Sequence, residues 1–218
     1  MKKYVFLTLA LVVAASTLAT AAVHIVGGGT PNTNNTYPFT AASAFRWQTM
    51  WFQTELGETG PVSKIEWQVY SGARPSPGGT FNNCDILLCH TSVKAVTSTF
   101  ATNYGGKTPV NVFKGTYVLP ASVAEQWMTI VEPTNFTFNN TDNLLIEISW
   151  QGGSASPTYF KVRMVGSPLY PGRVYNSSSK TATTGSINTN YHQYGRITIG
   201  AIPGVAPTSL GRVKSIFR

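Results

Sequence analysis

Charge is what this chain has least of. Asp, Glu, Lys and Arg make up 11% of its 218 residues, and only eight are acidic. Six glutamates and two aspartates, Asp85 and Asp142, leave few carboxylates for paired acid–base chemistry. Cysteine is nearly absent as well, at two residues, so a disulfide-stapled framework is excluded. Basic residues do not cluster within the body of the chain. Removing Lys2 and Lys3 takes the formal charge from +8 to +6, and Arg212, Lys214 and Arg218 supply three of what remains. That distribution does not make a nucleic-acid footprint. After the first two dozen residues no run is apolar enough to cross a membrane. Catalytic signatures are missing too. HExxH, G-x-S-x-G and a phosphate-binding glycine loop do not occur.

The stretch IVGGGTPNTNNTYPF, residues 25–39, invites comparison with the mature start of trypsin-like proteases. The remaining parts of such an enzyme are not there. His90 lies in LLCHTS, with the His-Cys order reversed, and neither aspartate is followed by Ser. The stretch reads instead as a first strand and turn, with Tyr37-Pro38-Phe39 leading back to the core.

What is present is an export leader and a β pattern. Lys2 and Lys3 precede an apolar run and the small residues Ala19-Thr20-Ala21, the layout of a secretory signal peptide cleaved after Ala21. The expected organisation is a signal peptide over 1–21, a β-sandwich over 22–201, and a linker and tail over 202–218. IEWQVY, NLLIEISW, TYFKVRMV and RITI alternate apolar and polar residues with period two, the strand signature. Gly/Pro-rich breaks such as ETGP, GARPSPGG and QGGSASP separate them. Strands are expected near 45–53, 62–70, 84–91, 110–118, 126–131, 143–150, 158–165, 172–176 and 194–199, with a helical turn considered at 122–127. The fold class is all-β: an antiparallel two-sheet sandwich, jelly-roll-like.

Several residues carry candidate chemistry. CDILLCH holds Cys84, Asp85, Cys89 and His90 in seven residues. On an extended strand the two cysteines lie roughly 16 Å apart and face opposite ways. They read as small hydrophobes in a buried strand, with a bridge across a bend near Cys84, or metal or intermolecular pairing, as alternatives. Glu66 and Glu147 are the carboxylates to test for a glycosidase pair, on outward faces of their strands. NNTDN at 139–143 is a weak calcium candidate and a polar turn otherwise; beyond that no cofactor is expected. Five Trp and ten Tyr could stack on sugar rings. Trp67 and Trp150 share faces with aliphatic residues and read as core. Trp47 and Trp51 are left as candidate glycan platforms, with Tyr37, Tyr170 and Tyr191 as accessories.

One larger order is visible. GGGTPNTNNTYPF is followed by Gln48, TELGETGPVSKIEW, CDILLCHTS with a later Phe100, VFKG, WMTIV and FTFNNTDNLLIEI. This resembles a β-sandwich surface module of secreted bacterial proteins, of the kind associated with type IX secretion, over about residues 26–200. The resemblance implies a non-catalytic surface module, usually an accessory part of larger proteins. In the tail, Leu210, Val213, Ile216 and Phe217 would share one side of a short helix ringed by Arg212, Lys214 and Arg218, a candidate docking or sorting element. The expected function is a secreted, non-enzymatic surface, adhesion or matrix subunit that meets cell-surface components, polysaccharide or copies of itself. A carbohydrate-binding module is the alternative and a hydrolase the third reading.

Overall fold

Alternation along the chain builds two facing sheets. The computed structural model describes residues 21–27, 33–39, 43–73, 75–155, 162–166, 172–188 and 191–200. Residues 1–20 of the expected leader and the tail residues Leu210 to Arg218 lie outside these, as does Tyr170. The strands in chain order are β1 (Ala22–Val26), β2 (Thr33–Asn35), β3 (Phe45–Trp51), β4 (Gly60–Gln68), β5 (Gly79–Thr91), β6 (Val110–Leu119), β7 (Trp127–Val131), β8 (Thr137–Phe138), β9 (Asn143–Trp150), β10 (Gly152–Ala155), β11 (Val162–Gly166), β12 (Arg173–Asn176), β13 (Ser186–Asn188), β14 (Tyr191–Gln193) and β15 (Gly195–Ile199). One short helix, α1 (Gln53–Leu56), follows β3, and a 3₁₀ turn spans Ala101–Tyr104.

One sheet runs β1-β15-β4-β7, with β8 beside β4. The other runs β5-β9-β3-β12-β13, with β6 on the far side of β5 and β10 also paired to β5. All strand pairs are antiparallel. Take β1, β3, β4, β5, β6, β7, β9 and β15 as first to eighth. The first sheet then reads first, eighth, third, sixth; the second reads second, seventh, fourth, fifth. That is jelly-roll order, with β12 and β13 added at one edge. A small sheet of β14, β11 and β2 completes the fold.

The core lies between the two main sheets. Ile65 and Trp67 of β4 face Phe45 and Trp47 of β3 and Ile146, Ile148 and Trp150 of β9. The Trp47 and Trp67 rings meet edge-to-face at 5.4 Å, one from each sheet. Such pairs add roughly 0.5–1.5 kcal/mol beyond area burial. Phe39, at the end of the protease-like stretch, stacks on Tyr117 and Trp150 and joins this core. A Cβ at Gly195 would sit 2.7 Å from the Trp51 ring, so the absent side chain lets that indole pack onto β15.

Trp47 and Trp51 correct the sequence reading: both are fully buried, not exposed platforms. The reason is the register of β3, where Phe45, Trp47 and Trp51 lie on one face and Arg46, Gln48 and Met50 on the other. The strand expected over 45–53 also ends earlier, because the chain turns into α1. Glu55 Oε2 accepts the Phe52 amide at 3.2 Å, and Gly57 closes the helix in the left-handed region at φ 62°. Around residues 122–127 there is a turn rather than a helix, with Glu125 at φ 67° and Trp127 opening β7.

Candidate functional site

The outer face of the larger sheet carries the most developed polar cluster among the described residues. Its centre is Glu147 on β9. Gln48 lies directly opposite on β3, and Arg46 lies two residues back on the same face. Arg46 grips the carboxylate with two prongs, Nε to Oε1 at 3.0 Å and Nη2 to Oε2 at 3.1 Å. Gln48 Nε2 donates to Oε2 at 2.6 Å, and the Tyr104 hydroxyl donates to the same oxygen at 2.5 Å. Arg46 Nη1 also donates to the Ala182 carbonyl at 2.9 Å, and its guanidinium sits 4.5 Å from the centre of the Phe100 ring. The Glu147 side chain is 4% exposed and that of Arg46 17%.

This cluster fastens a loop. Asn103 Nδ2 donates to Gln48 Oε1 at 2.9 Å, and Asn103 Oδ1 accepts the Thr97 amide at 2.7 Å. Asn143 does the same work at the start of β9. Its Oδ1 accepts the Gln53 amide at 2.9 Å and its Nδ2 donates to the Val93 carbonyl at 2.8 Å. Met50, Cys89, Val96 and Leu145 form a second small core under the loop, against Phe52 and Tyr104. The segment 92–107 is thereby sealed onto the sheet. Gln48 and Glu147, 99 residues apart in the chain, are in direct contact here.

Burial and the neighbouring Glu147 charge both push the Tyr104 hydroxyl well above the ordinary tyrosine range. It stays protonated and donates. Both Glu147 oxygens are taken by donors, which leaves the carboxylate poorly placed to accept a proton from a substrate. Glu66 repeats the arrangement on the other sheet. Arg196, opposite it on β15, reaches its two oxygens at 2.5 and 3.1 Å. Glu66 and Glu147 therefore project from the outer faces of opposed sheets, each bound to its own arginine, and flank no common cleft.

The Cys84–His90 segment is a central strand facing two ways. Cys84 belongs to the main core and Cys89 to the small outer one, and both are free thiols. Burial, with help from Asp85, pushes the Cys84 thiol up to about 12. Burial, with Asp142 and Glu147, pushes Cys89 up to about 11. His90 packs beside Phe136 and Phe138, and burial lowers its pKa. Asp85 turns outward to Lys180 at 2.6 Å and accepts Asn111 Nδ2 at 3.0 Å. Burial acts to raise its pKa, but these two bonds and the charges of Lys180 and Lys114 outweigh it and hold the carboxyl low. No group of three or more His, Cys, Asp or Glu gathers at one point among the described residues. In the 139–143 turn, Asn139 Oδ1 accepts the amides of Thr141 and Asp142, and its Nδ2 donates to Asp142 Oδ2. Those oxygens serve the turn itself. His24 meets Glu58 at 3.0 Å.

Trp127 is the partly exposed tryptophan. It lies across from Gln68, 5.7 Å from the Tyr194 ring, with the Arg196 guanidinium 4.6 Å from its centre. Arg163 donates to Gln68 Oε1 at 3.0 Å and pairs with Glu125 at 2.5 Å nearby. Tyr37 is half-buried between Phe45 and Tyr175, and the Tyr191 side chain lies outside the described residues. Sequence reasoning singled out neither Arg46, Asn103 and Tyr104 nor the Trp127–Tyr194 pair. The open groove of about 460 Å³ formed by residues 77–80, Val118, Leu119 and Ser154 holds no carboxylate, imidazole or thiol. No family model, curated protein or solved structure matches this chain.

Proposed function

We propose that the protein is an exported, non-catalytic β-sandwich acting as a cell-surface, adhesion or matrix subunit. The carrying observation is that the buried carboxylates Glu66 and Glu147 lie on opposite outer faces, each neutralised by its own arginine. Their bonds fasten strands and a loop; they do not frame a reaction space. The leader-like start, the weakly charged surface composition and the resemblance to secreted surface modules point the same way. The test is a panel of peptide and polysaccharide substrates incubated with the wild type and with the Glu66→Gln/Glu147→Gln pair. The expected result is no turnover by either. Turnover lost in the double variant, with the fold intact by circular dichroism, would revive the hydrolase reading.

Carbohydrate binding is the second reading, favoured by the half-exposed Trp127 beside Tyr194, Gln68 and Arg163. A flat ring bordered by amide and guanidinium groups suits a sugar face and its hydroxyls. On a glycan array, Trp127→Ala should lower binding at least tenfold. Equal binding by wild type and variant, or none by the wild type, would remove this reading.

A further inference from the structure

The β1 strand is a sheet edge; α1 and the turn after it border its inner side, through Glu55 at Gly27 and Glu58 at His24, and leave its outer face open. Among the described residues it pairs only with β15, and Val23 and Ile25 on its outer face are 57% and 55% exposed. The β6 edge differs: it carries the exposed Lys114 and two breaks in register, devices that discourage pairing with another chain. The AVHIV of β1 has no Lys, Pro or break.

We infer that this edge is covered by the chain's own segment 206–218, with Leu210, Val213, Ile216 and Phe217 set against Val23 and Ile25. Two observations select this occupant. Ile199 is paired with Ala22, so the chain leaves β15 beside the start of β1. From there residues 201–209 can reach about 30 Å, further than the roughly 17 Å length of a five-residue strand. Finally, a five-residue edge is small beside the ~800 Å² per partner that a stable complex needs. A tethered segment, at an effective concentration near the millimolar range, can occupy a patch of that size where a free partner cannot.

Hydrogen exchange on the full chain tests this. The variant Leu210→Glu/Val213→Glu/Phe217→Glu should exchange the β1 amides that point away from β15 at least tenfold faster, with β9 unchanged. Equal β1 rates in both proteins would overturn the inference. So would β1 protection that rises with protein concentration in both, which would make a second copy the occupant. A spin label at Phe217→Cys gives an independent check, since Cys84 and Cys89 are buried. It should broaden the Val23 and Ile25 methyl signals, and unbroadened signals would contradict the docking.

Discussion

Glu147 is almost entirely withdrawn from water, and Arg46 is what makes its charge tolerable there. Removing one member of a buried pair strands the other, at a cost of about 3–5 kcal/mol. Glu147→Ala should therefore lower the unfolding free energy in urea by about that amount. Glu66→Ala should cost only about 1 kcal/mol, because the Arg196 side chain is 32% exposed and can be rehydrated. Equal losses would contradict the difference drawn between the two faces. The cysteines give a second check. With both thiols buried and held protonated, a thiol reagent at pH 8 should label neither in the native state and both in urea. Fast labelling of either in buffer would contradict their placement.

At the scale of elements, the segment 92–107 depends on Asn103, whose side chain joins Gln48 on the sheet to Thr97 in the loop. Asn103→Ala should speed amide exchange within 92–107 by at least tenfold and leave β4 and β15 unchanged. Uniform acceleration, or none, would mean that the small core under the loop holds it without that bond. At the end of β5, His90 has its pKa lowered by burial, below an unfolded value of about 6.5. Its neutral form suits the fold, so the associated stability is complete above that value and declines as pH falls through the lower folded one. Between pH 7 and 5 the wild type should lose more stability than His90→Phe; parallel curves would exclude the effect. Much of this level was legible in advance. Period-two patterns located β4, β9 and β15 within a residue or two, because burial on one face writes itself into the sequence. The same logic sorted Cys84 from Cys89. It would also have buried Trp47 and Trp51, had Phe45 been read with them as one face of β3. The short strands β2, β8, β10, β13 and β14 were not legible, since two to four residues carry no period. The Arg46–Glu147–Tyr104 cluster was hidden for another reason: its members are 43 to 101 residues apart, and only the register of β3 on β9 brings them together.

For the whole molecule, the two sheets enclose one aromatic core, and each outer face is tied by a cross-strand Glu–Arg pair. The non-catalytic surface role proposed above rests on this arrangement of the two carboxylates. The most direct measurement is biotinylation of intact secreting cells with a membrane-impermeant amine reagent, since Lys94, Lys107 and Lys114 are exposed. A surface subunit should be labelled without lysis and should sediment with the cells. A chain that is labelled only after lysis, or that is found wholly in the medium as a free monomer, would contradict the account.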